Sequence, residues 1–196
     1  MNDTPSPDPI ARFREVFDRA KERENFDVTA MTLSTCGESG RPSSRVVLLK
    51  GVDDRGFSFY TNKQSRKAGE LGQNSNAALC FYWPTIGEQV RVEGTTVHVD
   101  DAEADAYFAS RPRGSQLGAW ASDQSREIAS RDALLQRFHD LEVKYDGLQV
   151  PRPPHWGGYI LRPTSIEIWI NGEFRLHDRF LYLRSDAGWK ITRLCP

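Results

Sequence analysis

Cysteine is scarce in this sequence, which contains only Cys36, Cys80 and Cys195 among 196 residues. An odd number of widely spaced cysteines excludes the paired pattern of a zinc site and the dense framework of a small disulfide-stabilised domain. The four histidines also lack the spacing of metal ligands, so no metal site is expected. We therefore expect a protein of the reducing cytoplasm, and the thiol of Cys195 has no assigned role.

Long apolar runs and an excess of one charge are missing as well. No stretch approaches the ~18 apolar residues of a membrane span, and the N-terminal MNDTPSPDP lacks the cationic start and apolar centre of a secretion signal. The 26 Lys and Arg residues balance 27 Asp and Glu residues, giving a net charge of -1. With no global field to attract nucleic acid or an anionic membrane, we expect neither partner and look for local basic sites.

Several enzyme motifs are absent from the chain: HExxH, GxSxG, GxxxxGK[ST] and GxGxxG do not occur. Zinc-hydrolase, serine-hydrolase, P-loop and Rossmann interpretations therefore lose most of their support. Aromatic residues, by contrast, make up 11% of the sequence and include five tryptophans. Such side chains suit stacking on a flat ligand, although each one taken singly is more commonly part of a core.

The length fits a flexible N-terminal arm at residues 1–9 followed by a single domain at residues 10–196. The arm is polar and rich in proline. Behind it, Ile10, Phe13 and Val16 recur at helical spacing and predict an amphipathic surface helix.

Short β-rich runs dominate residues 28–99 and predict antiparallel strands, interrupted by a helix at 65–74. Residues 101–145 have a helical pattern, with Ser130 as a candidate N-cap. The remaining strand-like runs are GGYILRP, IEIWI, FRLHDRFLYLR and WKITRL. Strands followed by helices and then by strands predict an α+β fold built on a closed or split antiparallel β-barrel.

The junction from Tyr60 to Lys67 leads from a predicted strand end into a helix start and could hold a phosphate. The first turn of a helix offers free backbone N–H groups and partial positive charge, and Ser65, Arg66 and Lys67 lie there. The alternative is an ordinary N-cap at Ser65 with solvated basic neighbours.

Two cations enclose the apolar run RVVLLK. Strict alternation places Arg45 and Lys50 on opposite faces of a straight strand, so one site can use both only at a bulge or around a long ligand. A flavin nucleotide has that length. The alternative is two solvated charges at a strand edge.

A second candidate phosphate-binding set lies further along the chain. Tyr107 and Arg111 are neighbours four residues apart on a predicted helix, and Ser115 follows beyond Pro112. Decoration of a helix end by chance is the competing explanation. Gln89, Gln124, Ser125 and Trp169 add amide, hydroxyl and indole groups that indicate little in isolation.

Near the C-terminus, RLHDRF poses a charge problem if it is a strand. Alternation then places Arg175, His177 and Arg179 on one face, with Asp178 on the other. Like charges on one face repel, so an anion or an electron-rich ring over them would stabilise the row. Local anion sites, flat aromatics and no acid–base machinery together indicate a cofactor-driven enzyme.

Five segments resemble the pyridoxine/pyridoxamine 5′-phosphate oxidase family in order and spacing. They are RVVLLK at 45–50, FYTNKQSRKAGEL at 59–71, YFASRPRGSQLGAWASDQS at 107–125, WGGY at 156–159, and RLHDRFLY at 175–182 with WKITRL after it. The likeness runs from about residue 28 to the last residue, and the joint occurrence of these segments makes it specific.

The resemblance implies an FMN-binding split barrel and a homodimer with FMN in the cleft between the two chains. It implies oxidation of pyridoxamine or pyridoxine 5′-phosphate to pyridoxal 5′-phosphate, with O2 as acceptor and H2O2 as product. The implied cofactor-binding residues are Arg45, Val46, Val47, Leu48, Leu49, Lys50, Tyr60, Thr61, Ser65, Arg66, Lys67, Gln89, Gln124, Ser125, Trp169 and Arg179. The implied substrate-binding residues are Lys50, Tyr107, Arg111, Ser115, Arg175 and His177, with Arg175 and His177 as the catalytic pair.

Two departures from the family pattern stand out. Ile170 follows Trp169 where the family usually has Gln, and the arm at 1–9 offers no equivalent of the family's Arg and Tyr that close over substrate. Two alternatives remain open: a same-fold flavin oxidase acting on another aromatic substrate, such as a phenazine precursor, and a non-catalytic FMN or pyridoxal phosphate binding protein. The phosphate-holding set at Tyr107, Arg111 and Ser115 argues against the phenazine alternative.

Overall fold

The computed structural model describes residues 6–196, so the first five residues of the predicted arm lie outside the described part. The rest of that segment has defined contacts. The hydroxyl of Tyr182 donates to the carbonyl of Ser6 at 3.0 Å, and the carboxylate of Asp8 accepts from the N–H of Ile10 at 2.9 Å. Asp8 is therefore the N-cap of the first helix, and Pro9, which we assigned to the arm, is the first residue of that helix.

The helices lie in the regions where the sequence predicts helical structure, but their boundaries differ from the predicted ones. They are α1 (Pro9–Arg23), α2 (Arg66–Gln73), α3 (Asp101–Ser110), α4 (Arg113–Ala121) and α5 (Arg131–Lys144). The helix expected within 65–74 is confirmed as α2, and the helical region at 101–145 divides into three helices, the first break falling at Pro112. Ser130 caps α5 as expected, because its Oγ accepts from the N–H of Ala133 at 3.1 Å. Among residues 6–196, no helix has both the length and the apolar character that a membrane span requires.

Within the described residues, nine strands form one sheet in which each pairing is antiparallel. They are β1 (Ala30–Cys36), β2 (Pro42–Leu48), β3 (Gly51–Asp53), β4 (Gly56–Asn62), β5 (Asn76–Trp83), β6 (Glu88–His98), β7 (Trp156–Ile170), β8 (Asp178–Ser185) and β9 (Gly188–Leu194). The order is β2-β1-β5-β6-β7-β4-β3, with β8 on β7 and β9 on β8. The predicted α+β class with an antiparallel sheet is confirmed.

Strand β7 replaces two shorter strands that the sequence pattern suggested. Its first half pairs with β4 and its second half with β8, while β6 runs along its other edge. Pro163 lies at the division, and the register with β6 shifts between Glu93 and Gly94. A Cβ on Gly94 would lie 2.0 Å from the carbonyl oxygen of Arg162, so the close approach of the two strands there requires glycine. One continuous strand thus carries two neighbours on one edge.

The C-terminal run FRLHDRFLYLR is not a single strand, and that prediction is wrong. Glu173–Arg175 forms a short 3-10 turn, in which Phe174 and Arg175 have φ values of 56° and 65°. Strand β8 begins only at Asp178. Because the left-handed backbone interrupts the alternation, Arg175, His177 and Arg179 do not form one row on a strand face.

Aromatic side chains fill the centre of the main core. Phe13 from α1 is fully buried, and its ring centroid lies 4.9 Å from that of Phe57 and 5.1 Å from that of Phe81. Trp83 packs in the same cluster, while Trp156 belongs to a second cluster beneath α3 and α4. For Trp83 the core explanation of the tryptophan content holds.

We predict that Phe13→Ala lowers the free energy of unfolding by about 3–5 kcal/mol, because it removes a fully buried ring that other rings surround on several sides. Urea denaturation followed by tryptophan fluorescence measures this loss. Phe26→Ala is the control, since that ring is 43% exposed, and its effect should stay within ~1 kcal/mol. Equal losses in the two variants would contradict the placement of Phe13.

Candidate functional site

A cavity of about 940 Å³ opens between β2, β4 and the helices α2, α3 and α4. Fourteen residues predicted for cofactor or substrate line it: Arg45, Val46, Val47, Leu48, Lys50, Tyr60, Thr61, Arg66, Lys67, Tyr107, Arg111, Ser115, Gln124 and Ser125. These positions are far apart in the sequence, and the fold brings them to one hollow. The cavity also has lining residues that we did not predict, among them Ser43, Asn62, Ser122 and Trp156.

Arg45 and Lys50 reach the same cavity without a bulge. Strand β2 ends at Leu48, and the next residue, Leu49, turns its side chain into the main core. The alternation of more buried and exposed residues continues through Leu49 to Lys50. The cavity is therefore lined from both faces of this segment, by Arg45 on one face and by Lys50 on the other. Leu49 itself does not line the cavity, in contrast to our assignment.

Lys67, in the first turn of α2, is a buried cation that lines the cavity. Its Nζ donates to Thr61 Oγ1 and to Gln124 Oε1, each at 3.1 Å. Burial, and to a lesser degree the positive charge of Arg45, lower the pKa of Lys67. Among residues 6–196 no carboxylate pairs with this ammonium group, so its partners are neutral oxygens.

Ser65, at the start of the same helix, stabilises the backbone turn and does not contact the cavity. It is the N-cap residue of α2 but makes no side-chain cap hydrogen bond. Its Oγ donates instead to the carbonyl of Asn62 at 2.7 Å, and the residue is 2% exposed. We placed Ser65 among the cofactor contacts, yet it does not line the cavity. It shapes the turn that leads into α2.

Glu70 was missed in the sequence, although it orients two cavity arginines. Its Oε2 accepts from Thr35 at 2.5 Å, from Ser43 at 2.6 Å and from Arg45 at 3.1 Å. Its Oε1 accepts from Arg66 Nε at 2.9 Å. Burial alone would raise the pKa of Glu70, but these hydrogen bonds outweigh it and lower the pKa to about 2. The spacing of Arg66 and Glu70, four residues apart on a helix, was the available signal.

Three stacked aromatic rings, of Tyr60, Tyr107 and Trp156, form one wall of the cavity. The rings of Tyr60 and Tyr107 stack with centroids 4.1 Å apart, and Trp156 stacks on Tyr60 at 5.1 Å. The guanidinium of Arg111 lies over the Trp156 ring, with its central carbon 4.9 Å from the centroid. Burial raises the pKa of Tyr60 to about 12, so its hydroxyl stays protonated.

Arg111 holds an unsatisfied donor in this wall. Its Nη1 is buried and has no hydrogen-bond partner among the described residues. Burial lowers the pKa of Arg111, but a guanidinium remains charged at neutral pH. A buried charged donor without a partner is costly, which indicates that an anion belongs beside it.

The remaining predicted residues form a second group outside the cavity. Gln89 on β6, Trp169 on β7 and Arg179 on β8 lie side by side in the sheet register. His177 lies above them with its ring centroid 4.5 Å from that of Trp169, and Arg175 is exposed in the preceding turn. Within one chain, the residues that we assigned to one site therefore occupy two places.

Arg179 is already neutralised by its own chain. Its Nε donates to Glu167 Oε1 at 2.8 Å and its Nη1 to the carbonyl oxygen of Cys195 at 2.9 Å. The backbone of Cys195, not its thiol, is thus the part that contacts a predicted site residue. No group of three or more His, Cys, Asp or Glu side chains within residues 6–196 could hold a metal ion.

We predict that Glu70→Gln destabilises the protein at pH 7 by on the order of 3 kcal/mol, following the fall of the Glu70 pKa from 4.5 to about 2. A depressed pKa contributes stability above 4.5 that is lost as the pH falls toward 2. The difference in the free energy of unfolding between wild type and variant, measured by urea denaturation, should therefore become smaller as the pH falls over that range. Glu38→Gln is the control, because Glu38 is an exposed turn residue. A stability difference between wild type and Glu70→Gln that does not change with pH would contradict the lowered pKa of Glu70.

Comparison with known proteins identifies the relatives of this chain. The family model described as pyridoxamine 5′-phosphate oxidase matches residues 19–145. A second, described as the pyridoxine 5′-phosphate oxidase C-terminal dimerisation region, matches residues 156–196. A pyridoxine/pyridoxamine 5′-phosphate oxidase of Myxococcus xanthus strain DK1622 is 57% identical over 190 residues, covering 97% of this chain and 92% of that protein.

Two solved structures share the fold. PhzG from Burkholderia lata 383, in complex with tetrahydrophenazine-1-carboxylic acid, superposes with a TM-score of 0.93 at 34% identity, covering 99% of this chain and 95% of that one. A pyridoxamine 5′-phosphate oxidase-related, FMN binding protein from Nostoc punctiforme PCC 73102 has a TM-score of 0.76 at 22% identity, with coverages of 94% and 97%. The predicted split-barrel fold is confirmed, and the chain belongs to the pyridoxine/pyridoxamine 5′-phosphate oxidase family.

Proposed function

We propose that this protein oxidises pyridoxamine or pyridoxine 5′-phosphate to pyridoxal 5′-phosphate, using FMN and O2 and giving H2O2. It acts as a homodimer, with FMN between the two subunits. The observation that carries this proposal is the buried, unpaired Nη1 of Arg111 in the wall of a large cavity. Family membership supplies the reaction class, and the residues of this chain indicate how its parts are held.

The substrate phosphate fits the end of the cavity near α4. Arg111 offers an unpaired donor there, the Tyr107 hydroxyl belongs to the same wall, and Ser115 lies in the first turn of α4. The positive end of a helix dipole favours an anion at that turn. Lys50, in the link from β2 to β3, lines the same cavity and adds a second cation. These four groups match a dianionic phosphate in charge and in number of donors.

The FMN phosphate fits the other end, at the start of α2. Lys67 is buried with neutral hydrogen-bond partners only, so its charge lacks compensation until an anion binds. Arg66 lines the same end, and Glu70 fixes the direction of its guanidinium. Thr61, Gln124 and Ser125 add further polar groups beside Lys67. The donor set therefore fits a phosphorylated cofactor.

The second group of residues completes the site from the partner subunit. Gln89, Trp169, Arg175, His177 and Arg179 lie outside the cavity of their own chain, and four of them belong to the segment that matches the dimerisation region. Both regions also expose apolar side chains that an interface would cover. These are Val46 and Leu48 beside the cavity, and Phe174 and Leu176 beside Arg175, which are 66%, 38%, 89% and 71% exposed.

The chain contributes binding and orientation to the chemistry. Bound FMN would supply the hydride acceptor for the substrate carbon that bears the amine or alcohol, with O2 as the final oxidant. Arg111 and Lys50 fix the phosphate end of the substrate, and Arg175 and His177 hold its pyridine ring. The stacked rings of Tyr60, Tyr107 and Trp156 exclude water from that wall. Positioning of this kind lowers the entropic part of the barrier.

A phenazine-type oxidase is the second candidate, because PhzG shares the fold closely. The sequence favours the vitamin B6 substrate, since identity rises from 34% with PhzG to 57% with the Myxococcus xanthus oxidase. The double cation of Lys50 and Arg111 also suits a dianionic phosphate better than a single carboxylate.

The proposal is tested by the visible spectrum of the purified protein. A yellow preparation should bleach when pyridoxamine 5′-phosphate is added without oxygen, and the colour should return in air. A preparation that takes up no FMN would contradict the cofactor assignment. A yellow preparation that never bleaches would indicate a carrier instead of an oxidase.

We predict that Arg111→Ala raises KM for pyridoxine 5′-phosphate by roughly 10- to 100-fold, as expected when a charge-assisted hydrogen bond to phosphate is lost. Steady-state kinetics measure the change, and the slow oxidation of unphosphorylated pyridoxine should stay the same in the variant. Arg41→Ala serves as the control because that arginine lies in the exposed turn before β2. An equal effect on both substrates would contradict a phosphate role for Arg111.

We also predict that Arg175→Ala retains FMN but lowers turnover at least ~100-fold, the scale of a lost electrostatic contact in the transition state. Flavin content by absorbance and kcat by oxygen uptake separate the two effects. Near-normal turnover in this variant would refute the catalytic assignment. Loss of FMN along with turnover would show that Arg175 supports the cofactor instead.

A further inference from the structure

The turn at residues 172–177, which connects β7 to β8, contains a hydrogen bond that fixes the state of a predicted substrate-binding side chain. The backbone N–H of Gly172 donates to Nδ1 of His177 at 3.1 Å. A backbone N–H can only donate, so Nδ1 must present a lone pair. In neutral imidazole the proton is then on Nε2.

Two more contacts hold the imidazole in this geometry. The indole of Trp169 lies against the His177 ring, with centroids 4.5 Å apart and planes tilted by 44°. The N–H of Leu176 donates to the carbonyl of Glu173 at 3.0 Å and closes the turn. His177 therefore has little freedom to rotate and exchange its two nitrogens.

Glycine is required at position 172 by the closeness of the turn. A Cβ there would lie 2.1 Å from the carbonyl oxygen of Leu176 and 3.4 Å from Cα of His177. The backbone of Gly172 has φ −127° and ψ 154°, which any residue adopts, so the requirement is one of space and not of conformation. The carbonyl in question is backbone and cannot move aside without shifting the turn.

We infer that Gly172 is a positioning residue that fixes His177 as the Nε2–H tautomer, so that His177 donates a hydrogen bond to an oxygen of the phosphorylated substrate. This inference rests on the proposed function for the identity of the acceptor. The tautomer itself follows from the turn alone. Gly172 touches neither substrate nor cofactor and acts through His177.

The tautomer is tested in the FMN-loaded dimer by nitrogen-15 NMR of histidine-labelled protein, with the His177 signals assigned from their loss in His177→Gln. We expect the neutral imidazole of His177 to carry its proton on Nε2 and none on Nδ1. In Gly172→Ala the pattern should change to a mixture of tautomers. Gly72→Ala is the matched control, because a Cβ there meets nothing within 4 Å, and it should leave the signals unchanged. A wild-type His177 protonated at Nδ1 would overturn the inference.

The direction of the hydrogen bond is tested by two amide substitutions at the same position. The amide nitrogen of Gln can occupy the place of Nε2, whereas that of Asn reaches only the place of Nδ1. His177→Gln should keep at least ~10-fold more kcat than His177→Asn, about the value of one hydrogen bond. Equal rates, or a faster Asn variant, would overturn the donor role.

Gly172→Ala should lower kcat by ~10-fold or more on the same scale, with FMN affinity unchanged within about twofold. Wild-type turnover in this variant would contradict the positioning role. Should Gly172→Ala fail to fold, the wild-type NMR spectrum and the Gln and Asn pair still decide the inference. A wild type that does not oxidise the substrate would refute the proposed function, while the NMR result would stand or fall separately.

Discussion

Uncompensated positive charge inside one cavity is the constraint on which the rest of this molecule depends. Lys67 is buried with only neutral oxygens around its ammonium group, and Arg111 has a buried nitrogen without a partner among the described residues. Burial removes a charge from water at a large cost in free energy. We therefore expect a fold to keep a buried, unpaired charge only where a bound ligand of opposite charge replaces the lost hydration. The two groups have different neighbours, since Lys67 lies against Thr61 and Gln124 and Arg111 lies against Trp156. Arg45 differs from both, because Glu70, Thr35 and the carbonyl of Leu33 already bind it.

The path of β7 explains why one chain holds only part of the predicted site. Its first half pairs with β4, which contributes Tyr60 and Thr61 to the cavity, and its second half pairs with β8, which carries Arg179 and follows His177. The two halves belong to one extended strand of 15 residues, so at ~3.3 Å per residue their far ends are tens of ångströms apart. In this structure β8 contributes no residue to the lining of the cavity. Under the proposed function, the second group meets the cavity of the partner subunit. Residues 156–196, which include β7, β8 and β9, match the family's dimerisation region.

The parts of the site that follow from local sequence were predictable, and the parts that depend on unusual backbone were not. The junction from Tyr60 to Lys67 is a strand end followed by a helix start, and its side chains converge because the connection is short. No sequence signal marks the turn at 173–177 that interrupts the predicted strand. Phe174 and Arg175 adopt positive φ there, although neither is glycine, asparagine or aspartate. An alternating pattern across LHDRFLY therefore continued the strand too far. The role of Glu70 was hidden for another reason, since its partners Thr35, Ser43 and Arg45 come from two strands that only the tertiary fold places beside α2.

The turn at 172–177 also clarifies the departure at Ile170. That residue ends β7, lies in register with Glu88 and Asp178, and packs against the main core. Gly172, two residues later, starts the turn that fixes His177. The change from the family's Gln to Ile thus falls on the last residue of the strand, and the contact that orients His177 uses only backbone atoms of Gly172. Because a backbone donor does not depend on the side chain at position 170, the orientation of His177 survives a substitution that removes an amide from the same strand end. The difference at Ile170 therefore bears on packing against the main core, not on which nitrogen of His177 carries the proton.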